Sequence, residues 1–353
     1  MKLTVPTAVL VLMSLTVSCG DSTGPVPSEY PTGWIVGDPA SGQATILHTE
    51  DGSVWNFQGD SLNISSAQLT SVHSAGEKVV WVAGGASDGY GLVLRSTDGG
   101  ESWTRLGSQV QLPAATLCIS PLDSQTAWLS GMDNSICWTN DGGENWQKVS
   151  DPSYAGVQWD GIHALSATEV WACGGIGNTD GYLIHTTDGG NSWTSHADSL
   201  LQGYSLITVT AWDQENIWAV GHGYTVIKTT DGGNSWEDVS PDSMQGQTND
   251  ANGITLMSPD DAWVVMDYGN IWKTSDGGVS WTKQTLPSGS GGYFILRISA
   301  LDTSTAWATG SSGFGTPEGI ILHTEDGGSS WTRQDGGAFN GLWGVSFPGD
   351  CPN

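Results

Sequence analysis

Seven aspartates stand at near-regular intervals in this 353-residue chain, and carboxylates in series are the first place to look for acid–base or metal chemistry. They are Asp51, Asp98, Asp141, Asp188, Asp231, Asp276 and Asp326. Each lies inside the same phrase, a Ser or Thr two residues before, glycine after, and a tryptophan at the end: Trp55, Trp103, Trp146, Trp193, Trp236, Trp281 and Trp331. The first copy is one residue shorter than the others. Hydrolytic use would need two such carboxylates facing one cleft. The phrase itself dictates something else. Asp-Gly-Gly between two strands is a hairpin turn with glycines free to take positive φ. The carboxylate accepts N–H groups of its own turn, the Ser or Thr adds a local hydroxyl, and the tryptophan wedges between neighbouring sheets. The seven boxes are read as structural.

Other chemistry-bearing residues are as sparse. His48, His185 and His323 share one place, three residues before the box aspartate, where Arg95, Trp138, Lys228 and Lys273 stand in the other copies. A position that accepts all of these is a partly exposed strand site, not a ligand set. Cys118, Cys137, Cys173 and Cys351 fall at different places in their repeats, with no CxxC among them. An oxidising compartment would leave three pairings open to them. No Ser/His/Asp or Cys/His constellation emerges, and neither metal nor cofactor is expected.

The elements behind the boxes follow from the spacing. Successive box aspartates are 47, 43, 47, 43, 45 and 50 residues apart, one four-stranded blade per repeat. A second signature, a tryptophan usually followed by glycine three positions on, precedes each box: Trp34, Trp81, Trp128, Trp171, Trp218, Trp263 and Trp307. The two signatures absorb 14 of the 19 tryptophans, so no Trp-rich ligand site need be invoked for them. Each unit reads as strand A, alternating as in Ile162–Leu165; strand B, carrying the second signature; strand C, the apolar run before the box; and strand D, after it. The first unit starts at strand B, with Gly33-Trp34, and the chain ends on a strand A, Leu342–Phe347. The two halves complete one blade and remove a sheet edge. The expected fold is an all-β, seven-bladed propeller of four-stranded antiparallel blades over residues 33–353, monomeric, with its ring closed by the C-terminal strand.

Residues 1–18 read as a signal peptide: Lys2, then an apolar run from Leu3 to Val17 too short to span a bilayer. The following Leu15-Thr16-Val17-Ser18-Cys19-Gly20 resembles the lipobox of bacterial lipoproteins, with Thr16 where that family usually has Leu. The resemblance implies that Cys19 is lipidated and becomes the mature N-terminus. With two or more acyl chains such an anchor holds stably. Residues 19–32 then form the lipidated cysteine and a Pro/Ser/Gly tether, and the protein is expected at a bacterial membrane, periplasmic or on the cell surface. A net charge of −27 excludes nucleic acid and anionic lipid headgroups as partners.

The boxes resemble the bacterial neuraminidase repeat. The whole unit, with its strand-B Trp-x-x-Gly and its final Leu-Trp-Gly-Val-Ser-Phe, is more similar to the photosystem II stability/assembly factor family of propellers. That resemblance implies a protein-binding scaffold or assembly role without catalysis. The alternatives are a glycan-binding surface module and a sialidase-like glycoside hydrolase. Sialidase likeness implies three convergent arginines and a Tyr/Glu nucleophile pair. This chain has four arginines: Arg95 lies on a strand C before its box, Arg105 and Arg333 follow box tryptophans on outer strands, and only Arg297 borders a strand A. The xyloglucan hydrolases resemble paired propellers, and one alone is present here.

Partner binding is expected on the face opposite the boxes, where strand A begins and strands B and C are joined. The approaches to strand A carry Tyr154, Trp159, Asp160, Tyr204, Tyr293, Phe294, Arg297 and Phe339, and the B–C loops carry Tyr90, Tyr182, Tyr224, Tyr268 and Phe314. Trp159, Asp160, Tyr204, Tyr293, Phe294, Arg297 and Phe339 are the expected docking face, suited to a protein or peptide, or to a glycan.

Overall fold

The computed structural model describes residues 32–349, apart from 59–63, 65, 87–88, 108–111, 113–114, 178–179, 197–199, 202, 243–248, 314–317 and 335–338. The signal peptide, Cys19, Phe314 and Cys351 therefore lie outside the described residues. Seven antiparallel four-stranded sheets form the molecule, each in the order A–B–C–D. Blade 1 is the split one: its strand A is Leu342–Ser346, paired with strand B at Gly33–Ala40 through Trp34↔Ser346 and Ile35↔Val345. Phe347 seals this joint, fully buried against Trp307 (ring centroids 4.0 Å) and Trp55 (6.1 Å). The ring closes as the ends of the chain predicted.

The core is distributed. Seven hydrophobic clusters fill the seven junctions between adjacent blades, and the two tryptophan signatures meet there. The box tryptophan of one blade stands edge-on to the strand-B tryptophan of the blade before it: Trp146 on Trp81, Trp193 on Trp128, Trp281 on Trp218 and Trp331 on Trp263, with centroids 5.5–6.5 Å apart. Such edge-to-face pairs add about 0.5–1.5 kcal/mol each beyond their area burial.

The position three residues before each box aspartate is half-buried or buried for a specific reason. It sits directly across the ladder from the strand-B tryptophan, and in all seven blades its side chain lies on that ring. His48, His185 and His323 stack on Trp34, Trp171 and Trp307, and Trp138 stacks on Trp128. Arg95, Lys228 and Lys273 stand over Trp81, Trp218 and Trp263 at 4.4–5.5 Å. What the types share is a flat or cationic group that suits a π face. The sequence reading of this place as a partly exposed site missed that contact.

Each box is a closed hydrogen-bonded unit. In blade 4, Asp188 Oδ1 accepts from Ser192 N (2.9 Å) and Thr186 Oγ1 (2.8 Å), and Oδ2 accepts from Ser192 Oγ (2.6 Å). Gly190 N donates to Thr186 Oγ1 at 3.0 Å, with Gly189 and Gly190 at φ 73° and 80°. These donors, led by the Ser192 hydroxyl, hold the Asp188 carboxyl down at about 2. The carboxylates are consumed by their own turns on one rim of the ring, here called the box face.

Candidate functional site

The opposite face, where strand A of every blade begins, contains a repeated irregularity. In each blade the A–B register slips by one residue at the same place, so that one strand-A residue has no partner across the ladder. These β-bulges project Trp343, Thr70, Leu117, Asp160, Ile207, Asn252 and Leu296 from blades 1 to 7. All seven line one cavity of about 420 Å³ on the ring axis, joined by Gln68, Gln158, Ser205, His222 and Arg297. A bulge in a strand re-aims a side chain; repeated around a ring, it builds a site with one residue from every blade.

The bulge explains the second sequence signature. A Cβ on Gly84, Gly131, Gly174, Gly221 or Gly310 would collide with the carbonyl oxygen of the strand-A residue entering the bulge: Gln68, Ala115, Gln158, Ser205 and Phe294 respectively. The glycine of Trp-x-x-Gly is the space into which strand A swells. In blade 6, Met266 takes this place, buried in the blade 5–6 core.

One residue further along, neighbouring strand-A segments touch, and the side chains there are small. Ser71 Oγ accepts from Ile119 N, Thr208 Oγ1 donates to Asn252 O, and a Cβ on Gly161, Gly253 or Gly344 would meet the next blade's strand A. Arg297 is the exception. Its Nη1 donates to the Asn252 and Leu296 carbonyls, both at 2.8 Å, and its guanidinium closes the floor of the cavity. Burial lowers its pKa, opposed by the fields of Cys118 and Asp160. Arg297 and Asp160 are not in ion-pair contact. Asp160 is held instead by Gln158 Nε2 at 2.7 Å, and burial raises its pKa.

A hydrogen-bonded chain runs up the wall from Arg297. Asn252 Nδ2 donates to Asp267 Oδ1 (2.9 Å), Asp250 N to Asp267 Oδ2 (3.4 Å), and His222 Nδ1 meets Asp250 Oδ2 at 2.8 Å. Asp250 raises the His222 pKa, and burial raises that of Asp267. Sequence reasoning missed His222, Asp250, Asn252 and Asp267; nothing in the repeat pattern marks them.

The residues expected on the docking face divide. Asp160 and Arg297 line the cavity. Tyr204 is 46% exposed at its rim, and Phe294 lies half-buried against the 48%-exposed Tyr268 at 5.5 Å. Trp159 is corrected: it is fully buried, flanked by Tyr154 and Tyr182, with Nε1 donating to Asn134 Oδ1 at 2.9 Å. It falls one residue before the bulge, so its side chain points into the blade. Tyr293 packs on the blade 6–7 core, and Phe339 stacks on Phe57 of an outer strand, 5.8 Å apart. Neither reaches the axis. Tyr224, from a B–C loop, is buried as well. Cys118, Cys137 and Cys173 are buried thiols. The four arginines do not converge: Arg95 lies on Trp81, Arg105 is on the outer strand Thr104–Leu106, and Arg333 pairs with Glu318.

The sequence profile described as Photosynthesis system II assembly factor YCF48 matches residues 27–163 and 244–337. The chain belongs to that family. A curated relative, the photosystem II assembly lipoprotein Ycf48 of Synechococcus sp. (strain CC9902), is 34% identical over 126 residues, 35% of each chain. The match thus spans about a third of that relative's length. Among solved structures, one described as YCF48 bound to D1 peptide matches with a TM-score of 0.60 at 20% identity, over 84% of this chain and 86% of the other. YCF48 from Cyanidioschyzon merolae matches at 0.58 and 19%, over 86% and 95%. A GH74 xyloglucanase from Xanthomonas campestris matches at 0.65 and 15%, over 87% of this chain and 55% of its own. At these identities the structural likenesses establish the propeller fold. Among the described residues no helix is long and apolar enough to cross a membrane.

Proposed function

We propose that this protein is a non-catalytic scaffold or assembly factor that holds a protein or peptide partner across the strand-A face, over the axial cavity. The observation that carries this reading is the ring of seven bulged side chains, which makes a single site from all blades, whereas the box face is spent on internal hydrogen bonds. Membership of the YCF48 family supports it, as does a solved relative described with a peptide bound. The rim adds apolar contact area: Tyr90, Met132, Ile176, Tyr204 and Tyr268 are exposed on this side, against Val54 and Val279 on box turns. Exposed apolar residues gathered on one face mark interaction surfaces. At the cavity floor the Arg297 guanidinium is engaged by the Asn252 and Leu296 carbonyls.

The domain division belongs to the same proposal: a signal peptide over 1–18, lipidated Cys19 and tether over 19–32, and the propeller over 33–353. The relative's designation as a lipoprotein supports an anchored, extracytoplasmic protein.

Site-specific photo-crosslinking tests the face. A photoreactive residue at Tyr204 or Tyr268 is expected to trap the partner in native membranes, and one at Val279 on the box face is not. Adducts from Val279 alone would place the partner on the wrong side of the ring and overturn the reading.

A further inference from the structure

We propose that the segment this cavity receives is cationic and apolar: an extended stretch of polypeptide that places a lysine or arginine beside a leucine-sized side chain. The inference rests on the docking reading above and specifies the chemistry of its partner.

The ring is half apolar. Trp343, Leu117, Ile207 and Leu296 present hydrocarbon, and between them stand Thr70, Asp160 and Asn252. An occupant that left the four apolar groups uncovered would forgo most of the favourable free energy available there. The electrostatics are one-sided. Asp160 is in the lining itself, and three further carboxylates are bonded directly to lining side chains: Asp38 to Gln68 Nε2 at 2.8 Å, Asp267 to Asn252 Nδ2 at 2.9 Å, and Asp250 to His222 at 2.8 Å. Arg297 is the opposing cation of the lining, joined by His222 when that imidazole is protonated. His222 is already matched by Asp250, and the nearest partners of Arg297 are the two carbonyls it donates to. Asp160 has a single neutral donor, the Gln158 amide, in surroundings that disfavour its charge. A carboxylate so placed gains most from an incoming cation. The chain as a whole carries −27, which steers cationic partners toward it and anionic ones away. The exposed Tyr204 and Tyr268 at the rim offer π faces to the same charge.

The probes are three labelled, end-capped heptapeptides: Ser-Leu-Lys-Leu-Lys-Leu-Ser, the same with Glu for Lys, and the same with Ser for Leu. Fluorescence anisotropy measures their binding to the propeller. The Lys/Leu peptide is expected to bind at least tenfold more tightly than either of the others. Asp160→Asn should weaken it at least tenfold, while Arg297→Gln should not weaken it. Glu144→Gln, an exposed acid on the box face, should leave it unchanged, which separates the cavity from general attraction to an acidic protein. Preference for the Glu peptide, equal binding to Asp160→Asn, or no binding of any peptide overturns the proposal. Ile207→Trp, which fills the cavity, tests the docking reading separately. If Ile207→Trp abolishes crosslinking of the native partner while the Glu peptide is preferred, the docking site stands and its charge preference falls. If it leaves crosslinking intact, the docking site itself falls.

Discussion

Gly174→Ala should damage the molecule far more than the addition of one methyl group suggests. A Cβ at Gly174 would lie well inside contact distance of the Gln158 carbonyl oxygen and 2.9 Å from Trp159 Cα, where ordinary contacts begin at 3.4 Å. Both neighbours are strand-A backbone, so no side chain can swing away. Strand A must retreat by at least half an ångström, which strains or breaks the pairs Gln158↔Gly175 and Trp159↔Gly174. Two ladder bonds at about 1 kcal/mol each and an overpacking cost of about 1–3 kcal/mol overlap to give a loss of roughly 2–4 kcal/mol. The same shift moves Asp160, the next residue, out of its place in the cavity wall. Urea unfolding followed by tryptophan fluorescence reads the stability, with an unchanged slope as the check that one transition is being compared. Gly291→Ala is the control: nothing lies within 4 Å of its added Cβ, and it should cost less than about 0.5 kcal/mol. If Gly174→Ala costs no more than Gly291→Ala, the Trp-x-x-Gly signature does not mark the bulge.

Other consequences follow from the same structure. Deleting residues 342–353 removes strand A of blade 1 and uncovers Trp55 and Trp307; the expected result is insolubility or loss of cooperative unfolding, and an unchanged melting temperature would refute ring closure by this strand. His73 is buried and its pKa is depressed from 6.5 to about 3 by burial, then by His163 and Arg297. Because the unfolded chain binds that proton more readily, stability is complete above about pH 6.5 and falls as pH drops, by roughly 2 kcal/mol at pH 5 from His73 alone. A urea midpoint that does not move between pH 7 and 5 would count against this. The box carboxylates, held at about 2 rather than 3.8, contribute to acid sensitivity only below about pH 4. Asp188→Ala should lower the melting temperature through the loss of its three acceptor contacts yet leave peptide affinity of the folded fraction unaltered; a large affinity loss would make the boxes functional. Cys19→Ala should release the protein to the soluble fraction or leave an uncleaved precursor, and a mature protein with an unmodified start at another residue would rule the lipid anchor out.

The number of blades, their strand order and the closure of the ring were legible in the sequence because the signals behind them are local. An Asp box completes its own hydrogen bonds within about eight residues, so its phrase survives in the sequence wherever the turn occurs, and Gly33-Trp34 and Leu342–Phe347 announce two halves of one repeat. The cavity was not legible. A bulge is a relation between two strands, visible in strand A only as an ordinary residue such as Thr70 or Ile207 and in strand B only as a glycine whose purpose the pattern does not state. Whether a strand-A residue faces the axis or the blade turns on a one-residue slip, which is why Asp160 lines the site while its neighbour Trp159 is buried among Tyr154 and Tyr182. The chain from Arg297 through Asn252 and Asp267 to Asp250 and His222 joins three blades across 75 positions of sequence. Repetition wrote the scaffold into the sequence; convergence on one axis, which no single repeat contains, decided the site.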